Sequence, residues 1–224
     1  MTSVPQQPYG VLFDLDGTLL DTAPDMVAAL NALLLENDLP AFPFETVRPY
    51  VSHGSIRMVR MAFPAASESR FVNLRDRMLA LYRERIAAET TFFPGMETLL
   101  DRLEQDGVRW GIVTNKPGWL TEALLIELKL DQRAAAVVSG DSLSRRKPHP
   151  LPLLYAAERM GVAPERCVYV GDAQRDIEAA RSANMFALAA RFGYIAPEDR
   201  IDEWPAHGWI DAPLDVLHWL EHVR

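Results

Sequence analysis

The chain has 224 residues, with 23 lysines and arginines against 31 aspartates and glutamates, a net charge of −8 with histidine neutral. That length supports one to two domains with a true hydrophobic core, and 49% hydrophobic with 24% charged residues excludes wholesale disorder. The acidic balance argues against nucleic acid as a partner, because a phosphate backbone needs a clustered positive field; small anions remain open, since a few placed cations or a metal suffice for them.

Short apolar runs recur along the chain, each followed by a turn and then a helix-like stretch. The first is Gly10-Val11-Leu12-Phe13. Ahead of it, Met1 to Gly10 lacks a basic region followed by an apolar stretch, and no segment approaches the ~18 uninterrupted apolar residues of a membrane span, so a cytoplasmic chain without a membrane partner is expected. After the first run, Thr22-Ala23-Pro24-Asp25 reads as a helix start with Thr22 as its cap, and Met26, Leu30, Leu33 and Leu34 follow at helical spacing. A second long helix is predicted over Ser69 to Ala88, and Phe92-Phe93-Pro94-Gly95 closes this strandless stretch with a breaker pair. Beyond it come four more strand-like runs, at Trp110 to Val113, Ala135 to Val138, Cys167 to Val170 and Phe186 to Ala190, with helical patterns at 118–129, 150–161 and 174–183 between them. Asn184 sits where a left-handed helix stop tolerates asparagine. Runs apolar on both faces suit a parallel sheet covered by helices on each side. The expected architecture is α/β, a doubly wound parallel sheet built from residues 1–20 and 91–224, with an inserted α-helical cap over 21–90.

In such sheets, sites form beyond the carboxyl ends of the strands. The strands here lead into Asp14-Leu15-Asp16-Gly17-Thr18, then Thr114-Asn115-Lys116, then Lys147 after Arg145-Arg146, then Gly171-Asp172 with Asp176. Four acids converging on one edge repel each other unless a cation is bound, and hard oxygen ligands suit Mg2+ with a substrate phosphate. A metal, a lysine and small hydroxyl and amide donors together are built for a phosphoryl group, and an aspartate beside it can attack phosphorus.

Several residues also carry plainer readings. Thr18 reads as mainly a turn stabiliser; Lys116, beside Pro117, reads equally as a solvated loop charge or a ligand; Arg145 and Arg146 read as a solvent-facing basic run. His149 reads as a loop residue, Trp119 and Trp204 as packing, and the single cysteine, Cys167, as a buried strand thiol that excludes an intramolecular disulfide.

The segment Val11-Leu12-Phe13-Asp14-Leu15-Asp16-Gly17-Thr18-Leu19 resembles motif one of the haloacid dehalogenase-like phosphatase superfamily, and Thr114 with Asn115, Lys147, and Gly171-Asp172-Ala173-Gln174-Arg175-Asp176 resemble motifs two to four in order. The resemblance implies that Asp14 is nucleophile and metal ligand. It implies that Asp16 is general acid and base, with its main-chain carbonyl on the metal. It implies that Thr114 holds a phosphate oxygen, that Lys147 balances charge, that Asp172 completes the Mg2+ shell, and that Asp176 orients these groups from behind. Substrate contacts are expected from Asn115 and from the cap stretch Arg48 to Arg57, chiefly Arg48, His53, Gly54 and Ser55, a stretch that reads equally as a helix–loop–helix turn with surface arginines. The chain is similar to the phosphoglycolate phosphatase subgroup, and closer to its members that dephosphorylate N-acetylmuramic acid 6-phosphate, on Thr114-Asn115-Lys116-Pro117, Arg191-Phe192-Gly193-Tyr194-Ile195 and Pro197-Glu198-Asp199. It departs from the pattern at Ala173, where an acid is common, and at Asn184, where glycine is usual. The implied activity is hydrolysis of a small phosphomonoester through an aspartyl phosphate. A sugar-phosphate mutase shares all four motifs, and a non-catalytic phosphometabolite-binding regulator is the alternative from another class; Asp16 argues against a dehalogenase and against a stably phosphorylated receiver. No sequence feature sets an oligomeric state.

Overall fold

A computed structural model describes residues 9–223. Its main sheet has six strands: β1 (Gly10–Phe13), β4 (Arg109–Val113), β5 (Ala136–Val138), β6 (Cys167–Gly171), β7 (Phe186–Ala190) and β8 (Gly208–Ile210). The spatial order is β5-β4-β1-β6-β7-β8 with every pairing parallel. Counted along the chain, that is 3-2-1-4-5-6, the Rossmann-like order, whose reversal point lies beside β1. Both faces are buried, as the continuous apolar runs predict. Val11 and Phe13 belong to one core cluster and Leu12 to the other; Val168 and Val170 likewise oppose Cys167 and Tyr169.

Helices α5 (Met96–Gln105), α6 (Gly118–Glu127) and α9 (Asp215–Val223) flank one face, and α7 (Leu151–Met160) and α8 (Gln174–Ser182) the other. Asn184 ends the α8 turn at φ 58°, the left-handed conformation expected there. The strand β8 and a two-stranded antiparallel ribbon of β2 (Leu20–Asp21) and β3 (Thr91–Phe92) had no periodic signal, because runs of two or three residues are too short to show one.

Between β2 and β3 the chain is helical: α1 (Ala23–Leu35), a single turn α2 (Phe44–Val47), a 3-10 turn over Arg48–His53, α3 (Gly54–Ala62) and α4 (Glu68–Glu84). Two local expectations need correction. Thr22 makes no capping hydrogen bond; its hydroxyl donates to Asp16 Oδ1 at 2.7 Å instead, and Pro24 in the first turn already lacks the N–H that a cap would satisfy. The second long helix stops at Glu84 rather than Ala88. Ala87 turns left-handed at φ 61°, and the amides of Glu89 and Thr90 donate to buried Asp25, at 3.0 and 2.9 Å for its Oδ2. Asp25 also accepts from Thr90 Oγ1 at 2.8 Å and from Arg85, so one carboxylate ties the outgoing and returning connections of the insert together. Among the described residues no helix is long and apolar enough to cross a membrane.

Candidate active site

The loops after β1 and β4, the first turn of α8, the segment holding Lys147 and the helical insert surround one cavity of about 480 Å3. Its lining includes Asp14, Asp16, Thr114, Asn115, Lys147, His53, Gly54 and Ser55 from the sequence-predicted set. Asp172 and Asp176 lie buried directly behind Asp14, each of the three offering a carboxylate oxygen within 4.8 Å of the others.

Lys147 is the hub of that cluster. Its side chain is fully buried, with Nζ 2.9 Å from Asp14 Oδ1 and 2.8 Å from Asp176 Oδ1, and it donates to Val113 O and to Tyr169 Oη, each at 2.7 Å. Asparagine positions it. Asn115 Nδ2 donates to Lys147 O at 3.0 Å while Lys147 N donates to Asn115 Oδ1 at 3.1 Å. These two bonds clamp the Asn115 amide to the Lys147 main chain, while Asn115 also lines the cavity. Asp14 Oδ1 also accepts from Leu15 N at 2.7 Å, and among the described residues Oδ2 has Arg175 Nη2 at 4.0 Å. Burial and the neighbouring Asp176 push the Asp14 carboxyl up from its ordinary value, against the pull of Lys147 and Arg175.

Asp172 is held by Thr18 Oγ1 at 3.2 Å, Ser52 Oγ at 2.6 Å and Tyr194 N at 2.9 Å. Thr18 thus touches the acidic cluster as well as the turn. Burial, with Asp14 and Asp176 close by, pushes Asp172 up to about 7. A Cβ on Gly17 or Gly193 would collide with this carboxylate, so both glycines clear room around it. Ser52 Oγ also lies 3.3 Å from Asp16 O, so that carbonyl and Asp172 Oδ2 face one polar spot. Buried carboxylates that repel each other, a main-chain oxygen facing the same spot, and glycines that keep it clear fit a hard divalent cation. Asp176 is committed elsewhere, to Lys147 and to Ala173 N at 3.0 Å, and it is the Ala173 main chain that serves at this position.

Asp16 stands apart from these acids. Its Oδ1 accepts from Thr22 and from Lys116 Nζ at 2.8 Å. The solvated-loop reading of Lys116 is corrected: its side chain is buried, and its Nζ lies 4.4 Å from the Tyr82 ring centre. Burial alone would lower its pKa, and the adjoining Asp16 carboxylate more than reverses that. The signal available in the sequence was position, two residues beyond Thr114 in the loop that ends β4. Arg175, one residue before Asp176, was also missed; its Nη2 donates to Ser52 O at 2.7 Å, joining the insert to the acidic cluster.

In the stretch from Arg48 to Arg57, Gly54 adopts φ 78° at the start of α3 and lines the cavity with Ser55. His53 lines it too, with Nε2 3.3 Å from Asp199 Oδ1. Arg48 is not in the lining; its guanidinium lies over the Tyr194 ring at 4.9 Å, which corrects its assignment as a substrate contact. Of the remaining residues, Arg145 and His149 are exposed, Arg146 is exposed at the cavity edge, Trp204 is buried, and Trp119 is exposed rather than packed. Cys167 is buried, its thiol pushed up to about 12 by burial.

A family model described as "Haloacid dehalogenase-like hydrolase" matches residues 11–190. The chain is 48% identical, over 92% of its length and 93% of the relative's, to a protein of Xanthomonas campestris pv. campestris called "Phosphoglycolate phosphatase". It is 40% identical, over 92% and 93%, to the "N-acetylmuramic acid 6-phosphate phosphatase" of Pseudomonas putida. A solved structure from Haemophilus somnus 129pt, described as a predicted phosphoglycolate phosphatase, superposes with a TM-score of 0.84 at 28% identity, covering 96% of this chain and 99% of that one.

Proposed function

The chain belongs to the haloacid dehalogenase-like hydrolases and is a phosphatase of small phosphoesters, and we propose that it is a Mg2+-dependent phosphomonoesterase working through an aspartyl phosphate on Asp14. The observation that carries this reading is the buried contact of Asp14 with Lys147 at the cavity floor, with Asp16 set apart from it on Lys116 and Thr22. Asp14, Asp172 and the main-chain oxygen of Asp16 would hold Mg2+, which when bound supplies positive charge against the carboxylates and the phosphoryl oxygens.

The chain's own groups divide the remaining work. Thr114 and Lys147 hold phosphoryl oxygens while Asp14 Oδ2 forms a bond to phosphorus and the bond to the leaving oxygen breaks. Asp16 gives that oxygen a proton, then takes one from the water that cleaves the aspartyl phosphate, steps typically worth ~10²–10⁴-fold. Phosphate leaves and Asp14 is regenerated. We take residues 21–90 as a cap over a core of 1–20 and 91–224, the cap enclosing the leaving group.

Within this reading the leaving group is the size of an amino sugar acid. A cavity of about 480 Å3, walled by Met26, Val51, Ile56, Leu79 and Leu120, exceeds what two-carbon phosphoglycolate requires and suits a substrate of the N-acetylmuramic acid 6-phosphate type. The test is phosphate release by purified protein from that ester, phosphoglycolate and hexose phosphates, with Mg2+ and with EDTA. The muramic ester is expected to lead in kcat/KM by at least about tenfold, with activity lost in EDTA and restored by Mg2+. Turnover indifferent to EDTA, or release that needs a bisphosphate activator as a mutase would, contradicts the reading.

The metal site also sets a pH dependence. With Asp172 pushed up to about 7 when folded, the folded chain holds a proton that the unfolded chain, at the ordinary carboxylate value of 3.8, has already lost. The resulting penalty is complete above about pH 7 and fades as pH falls toward about 4. In EDTA the melting temperature is therefore expected to rise between about pH 8 and about pH 6 through this group. Added Mg2+ should raise it more at the higher pH; a Mg2+ effect that grows on acidification contradicts the assignment.

A further inference from the structure

One oxygen at the acidic cluster comes from the insert rather than from the sheet edge. Ser52 is buried in the 3-10 turn Arg48–His53, and Arg175 Nη2 fixes its main chain by donating to Ser52 O at 2.7 Å. From there the Ser52 hydroxyl reaches the core, 2.6 Å from Asp172 Oδ2 and 3.3 Å from Asp16 O. Gly17 makes that approach possible, since a Cβ there would lie 2.7 Å from Ser52 Oγ.

A plain structural hydrogen bond does not account for this arrangement. Asp172 already accepts from Thr18 Oγ1 and from Tyr194 N. The Ser52 hydroxyl has one proton to set against two acceptors, so one of its two oxygen–oxygen contacts holds no proton. Oxygens gathered with too few protons suit a cation, and a serine hydroxyl keeps lone pairs with which to bind one. Serine and threonine hydroxyls hold Mg2+ beside phosphate in other folds. The spacing agrees. An octahedral Mg2+ with bonds of about 2.1 Å sets neighbouring ligand oxygens about 3 Å apart, and the two Ser52 contacts fall on either side of that value.

We infer that Ser52 Oγ is a ligand of the bound Mg2+, supplied by the insert, so that the ion fastens the insert to the core. This rests on the Mg2+ part of the proposed function, and it adds to Asp14, Asp172 and the Asp16 carbonyl an oxygen from outside the sheet edge.

Mg2+ binding is measured by calorimetry without substrate on the wild type, Ser52→Ala and Ser52→Thr. The measurement is made at about pH 9, above the value of about 7 to which Asp172 is pushed, so that protons do not compete for it. Ser52→Ala is expected to weaken Mg2+ binding by about tenfold, and Ser52→Thr to stay within about threefold of the wild type. The sign decides. A hydroxyl that merely donated to Asp172 would compete with the ion, so a Ser52→Ala variant that binds Mg2+ as tightly as the wild type, or more tightly, overturns the inference. Amide exchange across residues 50–57 should slow by at least about fivefold on adding Mg2+ to the wild type and not to Ser52→Ala; equal slowing in both overturns it as well.

Ser52→Cys gives a direct signature, because Cys167 is buried. A thiolate ligand favours a soft ion, so this variant should bind Cd2+ with an ultraviolet sulfur-to-metal band while losing affinity for Mg2+. Absence of the band places residue 52 outside the ion's reach and overturns the inference. Wild-type protein that releases phosphate only with Mg2+, while Ser52→Ala binds the ion undiminished, sinks the Ser52 ligand alone. Wild-type protein that binds Mg2+ through Ser52 but hydrolyses no phosphomonoester sinks the phosphatase mechanism and leaves the ligand standing.

Discussion

Replacing Lys147 by methionine is expected to destabilise the protein by about 3–5 kcal/mol, the usual consequence of removing one partner from a buried charge cluster. The ammonium is fully enclosed and lies within 3 Å of both Asp14 and Asp176, while Arg175 approaches Asp14 only to 4.0 Å. Without it, Asp14, Asp172 and Asp176 face one another across less than 5 Å with no buried cation in direct contact. Val113 O also loses a donor, though Tyr169 Oη still donates to it at 2.9 Å. At this chain length the destabilisation corresponds to a fall in melting temperature of roughly 6–20 °C. The loss should shrink as the pH is lowered and the carboxylates take up protons. Phosphatase activity should fall by at least about 10³-fold, since the same ammonium holds the phosphoryl oxygens. A melting temperature in EDTA near neutral pH equal to the wild type's would show that Lys147 is not the group balancing this cluster.

The second large effect separates chemistry from folding in the opposite direction. Asp14→Asn keeps an oxygen for Leu15 N and nearly the same shape, but removes the nucleophilic carboxylate. Turnover is expected to drop by about 10⁴-fold or more, the scale on which covalent nucleophiles matter. Stability should not drop with it. Burial and Asp176 disfavour the charged form of Asp14, so a neutral isostere relieves repulsion, and the melting temperature in EDTA should match or exceed that of the wild type. Residual activity within about tenfold of the wild type would remove Asp14 from the nucleophile's role. A large loss of stability would mean instead that the carboxylate's attraction to Lys147 outweighs its burial.

Both effects concern residues that stand out in the linear chain, and the reason is local. Asp14 and Asp172 each come directly after a strand apolar on both faces, and such a strand in a helix-covered parallel sheet delivers its next residues to the carboxyl edge. The alternation of strand and helix, the long helical interruption after Asp21 and the convergence of Asp14, Asp172 and Asp176 were therefore legible without coordinates, whereas Asp16, expected in the same cluster, pairs with Lys116 instead. The left-handed stop at Asn184 was legible as well, because its conformation depends on one residue's own backbone preference.

What escaped depended on partners distant in sequence. Thr22 has the chemistry of a helix cap, yet its hydroxyl goes to Asp16; α4 ends early because the amides of Glu89 and Thr90 reach Asp25 from across the insert. Asn115 clamps Lys147 through its amide as well as lining the cavity, and Arg48 lies over Tyr194 rather than in the cavity.

The sequence by itself determined the class of fold, the insertion of helices between the first two strands of the main sheet and the inventory of acids, hydroxyl and lysine at the sheet edge. Those come from periodicity and from the residues directly succeeding each strand, which are properties of neighbours in the chain. Only the tertiary structure decided which of those groups pair: Lys147 with Asp14 and Asp176, Lys116 with Asp16 across a hundred residues, and Arg175 with the insert through Ser52. The acidic surplus of the composition is a single number; burial and distance turn part of it into a cluster that needs a cation.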